Sequence, residues 1–443
     1  MTYKLLKKSS TLALSLSLPL IAGSCFANNI SLEQVTKDIS YLASDDLNGR
    51  ASFTQDIDKA ADYISNRFKE IGLVPMAGNK DFKQSFTISQ IAPVTLSVSL
   101  NGKEIADKNL AMASTMAKLH WQSAKDFTTH TVGQADNMRQ VLGEINQQGG
   151  QHLVLVNPAH AKLFNGYRGY FSRGLNKLAI EHQGAIVIVL TEQETVKDID
   201  ISATTTITEQ RLTNVVGVLP GQQQTNEIVL YSAHYDHLGA TPSDSEDNIY
   251  NGADDDASGT TAIINLAQYF AKAGNNNRSL MFSAFTAEEI GGFGSKYFSQ
   301  QLNPDDVIAM INIEMIGKPS KFGPGKVWMT GMDRSNLGLL LNQGLNSQEP
   351  VVYQDPYPEQ NLFYRSDNAT LARLGVPAHS FSSTQLDKDQ HYHQTSDDLA
   401  SLNLTSMHQV IEHLAVATQG LVDGKITPSR VDVNNVKGHG KIY

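Results

Sequence analysis

The sequence predicts an α/β protein: a mixed, largely parallel central sheet flanked by helices, with an inserted subdomain of mixed α+β character. Three observations lead there. From Asn214 onward, short apolar runs alternate with helical patterns, the layout of a largely parallel sheet. Several of those runs end in acids or imidazoles, which places polar chemistry at the carboxyl edge of the sheet. Between about 86 and 210 the chain instead turns polar and rich in Gln, Asn and Thr, with only short strand candidates.

At 443 residues the chain can bury one large core or two ordinary ones. Hydrophobic residues at 40% and charged residues at 18% describe an ordinary globular protein. A formal charge of −10 argues against a nucleic-acid partner, since a phosphate backbone is bound by clustered Lys and Arg.

Taken in order, residues 1–27 read as a signal peptide. Lys4, Lys7 and Lys8 precede an apolar stretch over 11–22 that is too short to span a bilayer. Cleavage after Ala27 would use Cys25 and Ala27 as the small residues, and the rival reading is a lipoprotein anchored through Cys25. Either way an exported protein, periplasmic or extracellular, is expected. Cys25 is the only cysteine, so a disulfide and thiolate chemistry are both excluded from the mature chain. No later apolar run is long enough for a transmembrane helix.

Residues 28–85 form the N-terminal part of the main domain. A helix is expected over 31–43 with Ser31 as its N-cap. A second carries Ile57, Ala60, Ala61, Ile64, Phe68 and Ile71 at helical spacing and stops at Gly72 and Pro75. The inserted subdomain spans 86–210. It begins with alternation over 94–98 and a hairpin turn at Asn101-Gly102, then shows short apolar runs at 153–156 and 185–190. It either shapes substrate access or is a plain structural insertion.

In the main domain, 211–425, strands are expected at 213–219, 227–233, 279–286, 307–315 and 378–382. Helices are expected near 258–273, 293–302, 335–343, 368–374 and 404–421. The first two strands are close enough in sequence to form a hairpin. The polar tail 426–443 is expected to fray.

Acids and imidazoles gather at five places. His234, Asp236 and His237 follow the apolar run 228–231, and Asp254, Asp255 and Asp256 precede a helix. Glu288 and Glu289 follow the run 280–285. Glu314 sits within an otherwise buried strand, and His391, His393 and Asp397 lie in a loop before the last helix. Each has an ordinary explanation: acids cap helices, and loop histidines are often surface. Together they supply what two zinc ions need: imidazoles, carboxylates and at least one bridging carboxylate. A further carboxyl is then required to carry the proton. No Gly-x-Ser-x-Gly nucleophile elbow is present.

In order and spacing these segments resemble the co-catalytic two-zinc exopeptidases of the bacterial leucyl aminopeptidase and aminopeptidase Y type. That group is similar in fold to glutamate carboxypeptidases and glutaminyl cyclases. The resemblance covers roughly 31–80 and 210–422. It implies that Asp255 bridges two Zn²⁺ ions, that His234 and Glu314 complete one, and that Glu289 and His393 complete the other. It makes Glu288 the general base and Asp236 the carboxylate that buttresses His234, with Asp397 doing the same near His393. His391 competes with His393, Asp254 and Asp256 fall to capping or supporting roles, and His237 has none.

The implied activity is removal of N-terminal residues from peptide substrates. Carboxypeptidase, dipeptidase and glutaminyl cyclase activities, or a non-catalytic binding role, are alternatives on the same scaffold. Two positions depart from the family: Glu314 stands where Asp is usual, and Asn368 stands where His is frequent, at a place that lines the approach in relatives. The preferred side chain and the oligomeric state are left open.

Overall fold

The structure is a computed structural model that describes residues 1–2, 29–242, 247–345, 349–438 and 440–443. The expected signal segment, with Cys25, lies outside the described residues apart from its first two. Helix α1 (Leu32–Leu42) starts where the Ser31 hydroxyl accepts from the Gln34 N–H, and α2 (Gln55–Ile71) where Thr54 accepts from Ile57. Gly72, at φ 89°, ends α2 in the left-handed region that suits glycine. The apolar stripe of α2 is buried as its spacing requires.

Strand β1 (Lys83–Leu100) leads into the insertion. This comprises β2 (Leu110–Ser114), β3 (Thr128–Val132), α3 (Met138–Gln148), β4 (Gln151–Val156), α4 (Ala161–Ser172) and β5 (Ala185–Leu190). Strand β6 (Ile199–Leu219) returns antiparallel to β1 along nearly its whole length. The positions expected to bound the insertion, 86 and 210, lie inside these two strands. The insertion has its own sheet, ordered β2-β5-β4-β3, and its own core on both faces, with Val154 and Val156 on one side and Leu153 and Leu155 on the other. Asn101 and Gly102, at φ 53° and 73°, make the expected hairpin turn.

The main domain continues with β7 (Gln224–His234), α5 (Gly259–Ala273), β8 (Arg278–Phe285), α6 (Phe293–Ser299), β9 (Val307–Ile313) and β10 (Val327–Met329). It closes with α7 (Leu337–Gly344), β11 (Val352–Gln354), α8 (Asn368–Ala372), β12 (Ala378–Ser382) and α9 (Leu404–Ala417). Its sheet runs β11-β10-β12-β9-β7-β8-β6-β1. The four central strands β12, β9, β7 and β8 are mutually parallel, while β6 joins β8 antiparallel. The fold is the expected mixed α/β sheet flanked by helices. Val229, Tyr231 and Ala233 of β7 face the core beneath α1, α2, α5 and α9, and Leu230 faces the core on the other side with Phe298 and Leu371.

Two expectations are corrected. Strands β6 and β7 form no hairpin, because β8 lies between them. Their connection passes over the start of β8: the Gly221 N–H donates to Ser279 Oγ, and a Cβ at Gly221 would sit 2.6 Å from the Asn277 carbonyl oxygen. Nor does the tail fray, because it docks on the insertion. Ile442 is 1% exposed, Asn146 Oδ1 accepts from the Ile442 and Tyr443 N–H groups, and the Tyr443 ring packs edge-on to Phe171. Deleting residues 439–443 should therefore destabilise the insertion by about 2–4 kcal/mol, the worth of one buried aliphatic side chain and an aromatic contact. Limited proteolysis and thermal melting read this directly, and an unchanged cleavage pattern and melting temperature would exclude it.

Candidate metal centre

Parallel strands end on the same side, so β9, β7 and β8 deliver their following residues to one edge. His234 is the last residue of β7, between Glu314 just past β9 and Glu288 and Glu289 just past β8. Asp255 enters from the loop before α5, and His393 from the loop between β12 and α9. His234 Nε2 lies 3.1 Å from Asp255 Oδ1 and 3.9 Å from Glu314 Oε1. His393 Nε2 lies 3.2 Å from Asp255 Oδ2 and 3.3 Å from Glu289 Oε2. Asp255 thus faces two separate groups with its two oxygens, and all five residues expected as metal ligands come together with Glu288 beside them.

The backbone around them is held by the neighbouring acids. Asp256 Oδ1 accepts from the Gly259 and Met315 N–H groups, and its Oδ2 accepts from the His234 N–H. It therefore caps α5 and ties together the loops after β7 and β9. Asp254 binds the Gly317 N–H and the Thr384 hydroxyl. The peptide between Asp255 and Asp256 is cis. Ala287, Met315 and His393, each beside or within the site, have φ of 60°, 54° and 57°, a region that side-chain-bearing residues seldom adopt outside functional sites.

Several expected roles move. The Asp236 carboxylate accepts from the Glu288 and Glu289 N–H groups and stands 3.8 Å from His234 Nδ1, which the Asp236 backbone oxygen approaches more closely, at 3.1 Å. Asp397 does not reach His393. Its carboxylate accepts from the Asp254 and Asp255 N–H groups. Glu314 lies one residue beyond its strand rather than within it. His391 pairs with Ser396 away from the site. Asn368 does not line the approach: it is fully buried, donating to Phe363 and Ala378 carbonyls and accepting from Ser380. Ser366 reaches the site instead, donating to Glu314 while accepting from Asn312 at 2.8 Å.

Sequence reasoning missed two residues. Arg50, 1% exposed, donates to the carbonyls of Leu42, Tyr235, Asn251 and Gly252 and so pins both site loops to the N-terminal segment. An Arg eight residues past the end of α1 gives no sign of this. His237 is 2% exposed and turns inward, with Nδ1 2.7 Å from Glu289 Oε1. Its only signal was its place three residues after His234.

The donors fit bound metal. His234 Nε2, both ring nitrogens of His237 and Glu289 Oε1 are buried without hydrogen-bond partners among the described residues, which is unfavourable unless a cation meets them. Ligands of a tetrahedral Zn²⁺ stand roughly 3.3–3.5 Å apart for the usual bond lengths, close to the separations around Asp255. The charges agree. Burial raises the Asp255 carboxyl, but His234 and His393 outweigh it and hold it below the ordinary carboxylate range. Burial, reinforced by Asp255, pushes Glu314 up to about 7. Burial and the nearby Glu314, Asp367 and Glu289 raise Glu288 as well. The site holds more carboxylate than its own residues can neutralise.

A cavity of about 480 Å³ opens onto this edge, lined by Trp328, Leu362, Arg365, Leu386 and Tyr392 as well as by Asp255, Glu288, Glu289 and Glu314. None of its described lining residues comes from the insertion.

Residues 214–418, from β6 through α9, match the model of Peptidase family M28. That stretch of the chain is similar to the M28 peptidases. The chain is similar to leucine aminopeptidase 1 of Chaetomium globosum, 28% identical over 213 residues that cover 44% of this chain and 50% of that protein. It is also similar to a probable zinc metalloprotease of Pyrenophora teres f. teres, 25% identical over 185 residues that cover 41% and 37%. The chain spans about half or less of the curated relatives it matches. Among solved structures, an aminopeptidase from Aneurinibacillus sp. strain AM-1 superposes with a TM-score of 0.54 at 17% identity, over 93% of this chain and 97% of that one. A zinc aminopeptidase from Bacillus subtilis gives 0.53 at 15% identity, over 92% and 99%. At such identities the likeness is one of fold.

Proposed function

We propose that this chain is an exported, zinc-dependent aminopeptidase that hydrolyses N-terminal residues from peptides. The observation that carries the reading is Asp255 set between two imidazole–carboxylate groups, with Glu288 beside them and a cavity in front. His234, Asp255 and Glu314 would hold one ion, and Glu289 and His393, sharing Asp255, the other. Zinc, when bound, supplies Lewis acidity for the scissile carbonyl and for water activation. Glu288 takes the proton of the attacking water and returns it to the leaving amine, a task suited to a carboxyl that burial holds above the ordinary carboxylate range. The Asp236 carboxylate fixes Glu288 by binding its N–H at 3.0 Å. The leucine aminopeptidase and zinc metalloprotease names of the relatives support the activity and the metal. The basic and apolar pattern of the first 27 residues supports export. Among the described residues, no helix is long and apolar enough to cross a membrane.

A second reading has one observation behind it. Arg365 is the only Lys or Arg among the described lining residues of the cavity, and a guanidinium there suits a substrate carboxylate, as a carboxypeptidase or dipeptidase would need. A peptide-library digest, read by mass spectrometry with and without chelator, separates the two. Loss of N-terminal residues that stops with chelator is expected. C-terminal loss, or cleavage only of dipeptides, would replace the aminopeptidase reading.

A further inference from the structure

We propose that His237 is an additional metal ligand, so that the ion at Glu289 is held by two imidazoles and two carboxylates while its neighbour at Glu314 has three protein donors. The inference rests on the zinc reading of this site and goes beyond the five ligands the resemblance implies.

A buried histidine is ordinarily satisfied through hydrogen bonds from both ring nitrogens. His237 departs from that. It is 2% exposed, and neither ring nitrogen has a hydrogen-bond partner among the described residues. Nδ1 stands 2.7 Å from Glu289 Oε1, yet out of line for a hydrogen bond, and 4.0 Å from Asp255 Oδ2. A donor that lies beside a carboxylate without pointing at it is placed as co-ligands are, both directed at a common centre. The nitrogen of His237 and the carboxylates of Asp255 and Glu289 cluster closely enough to share one ion. His393 meets the other oxygen of Glu289 and the same oxygen of Asp255 from across the site, its ring 5.7 Å from that of His237.

The ring is also fixed in place. The His237 backbone N–H donates to the Arg50 carbonyl and its backbone bridges to Ala51, which fixes the chain that carries the ring. Gly252 lies over the imidazole so closely that a Cβ there would be 2.5 Å from His237 Cγ. The imidazole is therefore held inward by packing and cannot turn to solvent.

Four protein donors close a zinc site, whereas three leave a position open. The Glu289 position should hold its ion more tightly than the Glu314 position, which has one imidazole and a carboxylate 3.9 Å from it. Titration of the metal-free full chain with Zn²⁺ against a competing chelator should resolve two classes of ion, differing at least about tenfold in affinity. X-ray absorption on the protein carrying one zinc should count two imidazoles, and this measurement needs no variant. His237→Asn should weaken the tight ion by more than about 100-fold, beyond the 10–100-fold expected for a residue that only orients a ligand. One imidazole on the tight zinc, or unchanged affinity in His237→Asn, overturns the proposal, and so does a chain that binds no zinc. None of these readouts involves substrate. A protein that binds zinc in this way but leaves peptides intact would sink the aminopeptidase reading alone.

Discussion

Glu288→Gln is expected to lower kcat on an aminoacyl-anilide by about 10²–10⁴-fold, the range for a positioned general acid–base group. Glu288 lines the cavity, and it belongs to neither of the two His–carboxylate groups that could hold an ion. Gln fills the same volume and keeps the backbone hydrogen bond to Asp236, but it cannot accept a proton. KM and zinc content should stay within about twofold of the parent protein, because only an interaction used in the transition state is removed. Steady-state kinetics with parallel metal analysis decides the matter. A variant that keeps its zinc and retains activity within tenfold of the parent would remove Glu288 from the proton path.

Asp255→Asn should have the broader effect. Asp255 is the one residue common to both candidate groups, 3.1 Å from His234 on one side and 3.2 Å from His393 on the other. An amide offers one neutral oxygen where the carboxylate has two that share its charge, so on the proposed two-zinc reading one ion would lose this ligand and the other would keep only a weaker, neutral one. Activity should fall by at least about 10³-fold, as expected when several kcal/mol of charge stabilisation are withdrawn. Zinc content, measured by elemental analysis after dialysis, should drop below one ion per chain. Retention of two tightly bound ions would show that Asp255 is no bridge.

Much of this protein was legible in the chain itself. The alternation from Asn214 onward gave the central strands and the helices of the main domain, since amphipathic period and glycine stops are local properties, but it missed the short strands Val327–Met329 and Val352–Gln354, whose three residues are too few to show a period. The five clustered motifs gave the members of the site, because acids and imidazoles at the ends of apolar runs have few other reasons to be there. What stayed hidden depended on contacts distant in sequence. Asp236 and Asp397 were identifiable as supports, but whether a carboxylate braces an imidazole or a neighbouring N–H depends on loop paths that spacing does not encode. Arg50 gave no local sign of binding carbonyls some 185 and 201 residues away. The docking of the tail on the insertion likewise joins Tyr443 to Asn146 across 297 residues.

The sequence by itself determined which side chains are available for chemistry and on which elements they ride. Only the tertiary structure decided strand order, putting β8 between β6 and β7, and with it the single edge to which His234, Glu289 and Glu314 are delivered. It also decided which nitrogen faces which oxygen. His237, without a role in the linear reading, acquired one because the Arg50 carbonyl holds its backbone and Gly252 packs over its ring, which stands beside Glu289. The physical reason is the same in each case: composition and period constrain a residue's own segment, whereas coordination depends on the angles between segments, which packing alone sets.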